Sequence, residues 1–290
     1  MVNQAGPATR SDRPASPSAN SNPSAGGGGV WGRILHPNAF VPTNVYRGIV
    51  AVEVALLLGA WLFMPAIIPS PLRVLAAFRE LVAEQGLIGE LWTSLTLNLE
   101  AIALSTVIAL LISYGTVIAV LRPLAGLVAK GRFLSLIGLT FLFTVFVGGG
   151  HSLKLALLTF GLTVFFVTAM ADVVEQTPRE KLDYARTLRM GEWHVLLEMI
   201  VLGNLGAAFD IIRQNAAMGW LMLTMVEGLV RSEGGIGRLL LDQEKHFSLA
   251  AILAVQLVFL IVGILQDLFI RWLKAIFVPH AALAYQQARA

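Results

Sequence analysis

Residues able to do chemistry are few and scattered in this 290-residue chain. Cysteine is absent, which removes thiol nucleophiles, disulfides and thiolate metal sites together. The five histidines, at positions 36, 151, 194, 246 and 280, lie far apart without ligand spacing, so no metal centre is expected. No two carboxylates share one apolar face. Neither a Gly-x-Ser-x-Gly nucleophile turn nor a Gly-x-x-x-x-Gly-Lys-Ser/Thr phosphate loop occurs. The chain therefore reads as no enzyme, with no directly bound cofactor.

What remains is a set of charges in apolar surroundings. Arg213 stands inside an apolar run, with Asp210 three residues back to pair with it and Asn215 just beyond. Ionisable residues in such runs are costly and commonly functional. "DIIRQN" reads as a polar patch facing protein or a water-filled path, and equally as a structural pair bracing helices. Trp220 and Glu227 follow on the same run; Glu227, near its outer end, reads as an interfacial carboxylate in preference to part of a gate. Glu53 lies inside another apolar run and is expected to snorkel. The hydroxyls of Ser105, Thr106, Ser113, Thr140 and Thr144 could line a pore, although packing between helices is the commoner use.

The elements that must position these residues are membrane helices. The chain is 56% hydrophobic and 13% charged, with a mean hydropathy of +0.73. Soluble domains run near 45–50% apolar and about 25% charged. The expected fold class is all-α integral membrane. A net charge of +3 is explained by Lys- and Arg-rich cytoplasmic loops, with no nucleic-acid partner. A bilayer core of roughly 30 Å needs about 20 apolar residues as helix. Six stretches qualify: about Ile49–Ile68, Leu95–Leu121, Phe133–Val147, Leu153–Val174, Leu205–Val226 and Leu249–Trp272. Residues 1–30, ending in a Pro/Ser/Gly-rich run, are expected to be a disordered cytoplasmic tail, since they bury too little to offset chain entropy. Residues 31–275 form the membrane domain and 276–290 a second cytoplasmic tail. With the N-terminus inside, fourteen Lys/Arg residues fall in cytoplasmic segments and six outside, which places both termini in the cytoplasm.

One segment interrupts the apolar runs. "REKLDYARTLRMGEWHVLLEMI", 179–200, is charged and helix-prone. Thr177, Pro178 and Glu180 read as a capping box with proline at the first helical position. Leu182, Ala185, Leu188 and Arg189 give a narrow stripe, Gly191 can end the helix, and "EWHVLLEMI" begins a second. Two short amphipathic helices of this kind could lie on lipid headgroups or dock into a groove on a partner protein.

The segment resembles the cytoplasmic coupling loop of binding-protein-dependent ABC importer permeases. That family's pattern is Glu-Ala-Ala, three residues, Gly, nine residues, Ile-x-Leu-Pro. Here Asp183-Tyr184-Ala185 is followed by Arg186-Thr187-Leu188, with "ARTL" as in the nitrate/sulfonate/taurine-type branch. Met199 and Val201 fall on the Ile and Leu. Arg213, Trp220 and Glu227 match that branch's Arg, Trp and Glu, and "GGIG" (234–237) resembles its Gly-Leu-Gly turn. "IPSPLRVLAAFREL" (68–81) and "FVGGGHSLK" (146–154) resemble two further loops, so the likeness covers about 65 to 275.

The resemblance implies a type I ABC importer permease of about six spans, in a bacterial inner membrane, with its coupling loop at about 175–203. It implies Asp183, Tyr184, Ala185, Arg186, Leu188 and Gly191 at the contact with an ATPase subunit, where ATP would be used. Asp210, Arg213, Asn215, Trp220 and Glu227 are the candidates for the translocation path or gate. The implied partners are that ABC ATPase, an extracytoplasmic substrate-binding protein, a second copy of the chain and membrane lipid. The cargo would be a small polar solute, anionic in some members. Two departures stand out: Arg189 occupies the family's Gly and Leu202 its Pro, with Gly203 next, so the bend of the coupling loop is expected to be displaced towards Gly191. A membrane anchor with a degenerate loop and a secondary transporter are the alternatives; the second would need ion-coupling acids near mid-membrane and internal repeats.

Overall fold

The structure is a computed structural model and describes residues 43–62 and 68–278. The expected N-terminal tail, residues 63–67 of the first expected span and most of the expected C-terminal tail lie outside the described residues. All regular structure among the described residues is helical. The chain divides into two units, residues 1–63 and 64–290.

The first unit holds α1 (Thr43–Leu62), 20 residues long. At 1.5 Å per residue it rises about 30 Å, the thickness of a bilayer core. It begins before the expected Ile49, because "TNVYRG" contains no proline to stop it and a single glycine costs only about 1 kcal/mol.

The second unit is a bundle centred on α6 (Gly150–Glu175). Leu157, Leu158, Leu162, Phe166, Val167 and Met170 on α6 are fully buried. In lipid such burial yields little hydrophobic gain, and close packing and internal hydrogen bonds hold the helices together. Around α6 lie α3 (Leu87–Gly115), α4 (Arg122–Lys130), α5 (Leu136–Val147) and α9 (Leu205–Leu229). α2 (Pro71–Ala83) starts with proline at its first position and seats Val74 and Leu81 in the bundle beside α11 (Leu249–Phe277). α7 (Arg179–Thr187) and α8 (Glu192–Val195) make up the interrupting segment, and α10 (Ile236–Lys245) follows α9.

Among the described residues four helices are long and apolar enough to cross a membrane: α1, α3, α6 and α11. The number becomes six if two bent pairs each count as one crossing. The six expected spans are the upper end of that count, reached only if each bent pair is one crossing. α3 begins at Leu87, not Leu95, because Glu90 on its first turn is paired within the protein and needs no water. It ends at Gly115, not Leu121; residues 116–121 turn before Pro123 restarts the chain as α4. The third expected span is found as the unbroken helix α5, starting three residues late, and the chain breaks just ahead of it. Residues Gly131–Phe133 form a 3-10 turn, Ser135 is extended, and α4 meets α5 at 116°. α5 itself has 12 residues, a rise of about 18 Å.

Candidate coupling loop and the polar contacts of the bundle

The interrupting segment leaves α6 at Thr177. The expected capping box does not form. Pro178 occupies the N-cap with φ −60° and ψ 130°, and no side chain caps α7. A residue before proline is pushed out of helical conformation. Thr177 therefore sits one position too early to cap; its Oγ1 donates to the Val173 carbonyl at 3.3 Å and accepts from Asn204 Nδ2 at 3.0 Å.

α7 is amphipathic along its short length. Ala185 is fully buried and Leu182 half-buried, while Tyr184 and, just past the helix end, Leu188 are 64% and 58% exposed. A cleft of about 530 Å³, lined in part by Arg122, Asp172, Arg179 and Leu182, adjoins its inner side. Asp183 and Arg186 are exposed and paired, Nη1 to Oδ1 at 3.2 Å. Arg186 also forks onto Glu192 at the start of α8, Nε and Nη2 donating to the two carboxylate oxygens at 3.2 and 3.3 Å. The Glu192 hydrogen bond, and then its charge, push the Arg186 guanidinium further above its ordinary value, so it stays charged throughout the working range.

The bend is not displaced. The Met190 amide donates to the Ala185 carbonyl at 3.4 Å and the Arg189 amide to the Arg186 carbonyl at 2.9 Å. Those two bonds are a Schellman ending, whose left-handed position is normally glycine. Arg189 occupies it with φ 58°. Gly191, expected to end the helix, has φ −66° and serves instead as N-cap of α8. A second bend falls at Leu202 and Gly203, where the family pattern has its proline. Leu196–Leu202 form a π turn, the Gly203 amide reaches the Glu198 carbonyl at 3.0 Å, and the chain bends by 45° into α9. A Cβ at Gly203 would stand 2.3 Å from the Met199 carbonyl oxygen, so only glycine fits.

The candidate path residues divide between two faces of α9. Asp210 and Arg213 are exposed, on a stripe that continues through Ala217, Leu221 and Met225. They do not pair with each other. α11 runs alongside and supplies better-placed partners: Arg213 Nη1 donates to Asp267 Oδ1 at 3.2 Å and Lys274 Nζ to Asp210 Oδ2 at 2.6 Å, while Arg271 also binds Asp267. Asn215, Trp220 and Glu227 are buried on the other face. Trp220 Nε1 donates to Gln266 Oε1 at 2.5 Å, and its ring stands edge-on to Phe259 at 5.5 Å. Asn98 Nδ2 reaches the same Gln266 oxygen at 3.3 Å, so one amide bolts α3, α9 and α11 together. Most of the hydroxyls considered for a pore turn back on their own helices: Ser105 to the Ile102 carbonyl, Thr140 to Leu136 and Thr144 to Thr140.

Glu227 is not interfacial. It is fully buried in a polar knot that sequence reasoning missed. Ser94 Oγ donates to Glu227 Oε1 at 2.6 Å, and the Gly237 amide donates to Oε2 at 2.7 Å. The Ile236 amide donates to Ser94 Oγ at 2.8 Å. Lys154, one of the six Lys/Arg residues counted from sequence as lying outside, is 1% exposed and donates from Nζ to the Gly234 carbonyl at 2.7 Å. Glu90 accepts from the Gly235 amide and from Arg238 Nη2, the latter at 2.7 Å. Gly234 and Gly235, at φ 73° and 110°, let the turn present its amides inward, and a Cβ on Gly235 would stand 2.3 Å from the Glu227 carboxyl. The signal was in the sequence as charges one or two turns inside the ends of otherwise apolar helices. Glu100, inside the expected second span, was also missed; it pairs with His151 at 2.9 Å.

No family profile matches the chain. Two curated relatives are similar to it. Each is named bicarbonate transport system permease protein CmpB, one from Synechococcus elongatus and one from another Synechococcus strain. Each is 27% identical over 118 residues, which is 38% of this chain and 42% of the relative. The matched stretch therefore spans less than half of the relatives' length. The helical fold and this likeness define the class: a multi-pass membrane protein that resembles the permeases of ABC importers. Within that class the resemblance is to the nitrate/bicarbonate-type branch.

Proposed function

We propose that the chain is the membrane-spanning permease subunit of an ABC importer for a small polar solute, with inorganic anions of the bicarbonate class the first to try. It works as a homodimer, both termini in the cytoplasm. A separate ABC ATPase docks on α7 and α8, and an extracytoplasmic binding protein delivers the solute. ATP is bound and hydrolysed by that partner and not by this chain. Residues 31–275 form the permease domain, and the Arg213–Asp267 face of α9 and α11 lines the path or braces it.

The observation that carries this reading is the build of the interrupting segment. Ala185, Val195 and Ile200 anchor it in the bundle, while Tyr184, Leu188 and Trp193 project outward. A short helix seated in a partner and fixed to two membrane helices transmits a push as rigid-body movement. Apolar side chains of that size, left uncovered on a charged segment, mark a protein-binding surface.

The test is affinity capture of the tagged chain from gently solubilised native membranes, with partners identified by mass spectrometry. The comparison is a Tyr184→Asp, Leu188→Asp variant, since both side chains are exposed and their replacement leaves the bundle intact. An ATP-binding subunit captured by the wild type and lost from the variant is the expected outcome. Equal capture by both, or no ATPase at all, would favour an anchor or a carrier driven by an ion gradient.

A further inference from the structure

We infer that Arg186 is a positioning residue that fixes the angle between α7 and α8, and that it is needed because the turn between them is built on Arg189 where glycine would be relaxed. The inference rests on the importer reading for its functional consequence, though not for its structural one.

A left-handed backbone disfavours a non-glycine residue roughly five- to thirtyfold. Such a residue persists only when its surroundings over-determine it. The side chain of Arg189 supplies no hold, having no hydrogen bond among the described residues. Arg186 supplies it from one turn back. Its guanidinium bridges Asp183 on α7 and both oxygens of Glu192 on α8, spanning the strained residue from either side. A planar guanidinium makes this two-sided fork, which an ammonium cannot. Arg186, expected from sequence to face a partner, thus spends its hydrogen bonds inside the chain. The partner-facing role falls to the apolar Tyr184, Leu188 and Trp193.

The structural arm is amide hydrogen exchange over residues 188–195 in the full-length protein held in lipid nanodiscs. Arg186→Met and Glu192→Gln should each speed exchange at Arg189 and Met190 about two- to fivefold, the range expected for exposed ion pairs. Arg186→Lys should not restore protection. Arg189→Gly, placed in the Arg186→Met background, should restore it. One molar salt, which shortens screening to about 3 Å, should mimic the loss in the wild type. The functional arm measures solute taken up per ATP hydrolysed with the captured ATPase subunit; this ratio should fall with Arg186→Met and recover with Arg189→Gly. Unchanged exchange in Arg186→Met, failure of Arg189→Gly to rescue it, or an unchanged ratio despite a loosened turn would each overturn the proposal. Failure of the wild type to capture any ATPase would sink the importer reading instead, and the exchange series would still decide whether the clamp exists.

Discussion

Single residues carry the sharpest departures from what the sequence announces. Lys154 and Glu227 both look like charges at the ends of apolar runs, where water would be close. In the structure both are buried, because a distant turn at 234–237 folds back to offer its amides and a carbonyl. That closure depends on contacts more than a hundred residues apart in sequence, Ser94 to Glu227 among them, which no local pattern encodes. Lys154 and Glu227 each hold the 234–237 turn, and removing one leaves a buried polar group of that turn without its partner, at a cost of about 1–3 kcal/mol. Lys154→Met and Glu227→Gln should therefore each lower thermal stability in detergent markedly. The double variant should lose clearly less than the sum, and additive losses in that cycle would show that the two charges do not depend on each other. Arg213 teaches the same lesson on a smaller scale: its charge was legible, its partner was not. Asp210 stands three residues away on the same face, yet Asp267 takes the bond, because the rotation of α11 about its axis decides who meets whom.

Among the elements, the interrupting segment was the most legible. Its charge, its helix-forming composition and its place between two apolar runs all survive into α7 and α8. The sequence reading went astray in assuming that a lost glycine and a lost proline move the bends. The first bend falls at Arg189 and not at Gly191, and a second follows at 196–203: an arginine in a left-handed turn, and a π turn closed on glycine. The second is the less forgiving. Gly203→Ala would drive a methyl group into the Met199 carbonyl, and overpacking of that kind costs about 1–3 kcal/mol. Its expected signature is faster amide exchange through residues 196–206 with little change in the far end of α9. Uniform destabilisation of the whole chain would mean that the π turn is no independent joint.

For the chain as a whole, composition fixed the class correctly, since long apolar runs survive any choice of packing. It could not show the break ahead of the third run, where α4 and α5 meet at 116°, because that break lies in the backbone geometry of residues 131–135. That break has a consequence for the surrounding lipid. α5 rises about 18 Å, against about 30 Å for the bilayer core it faces. α5 exposes Phe141, Val145 and Phe146, so wherever lipid covers that side it meets an apolar surface shorter than the acyl layer. Lipid beside it must compress or tilt to keep its chains covered, at a cost of fractions of a kcal/mol per ångström of mismatch. The protein should therefore be tuned to thin membranes. Reconstituted into vesicles of phosphatidylcholines with 14-, 16-, 18- and 20-carbon chains, it should show its highest melting temperature at the short end. A maximum at the long end would mean that α5 is screened from lipid altogether. Acyl-chain length would in this way act on the protein as a mechanical variable, with no headgroup recognised and no site occupied.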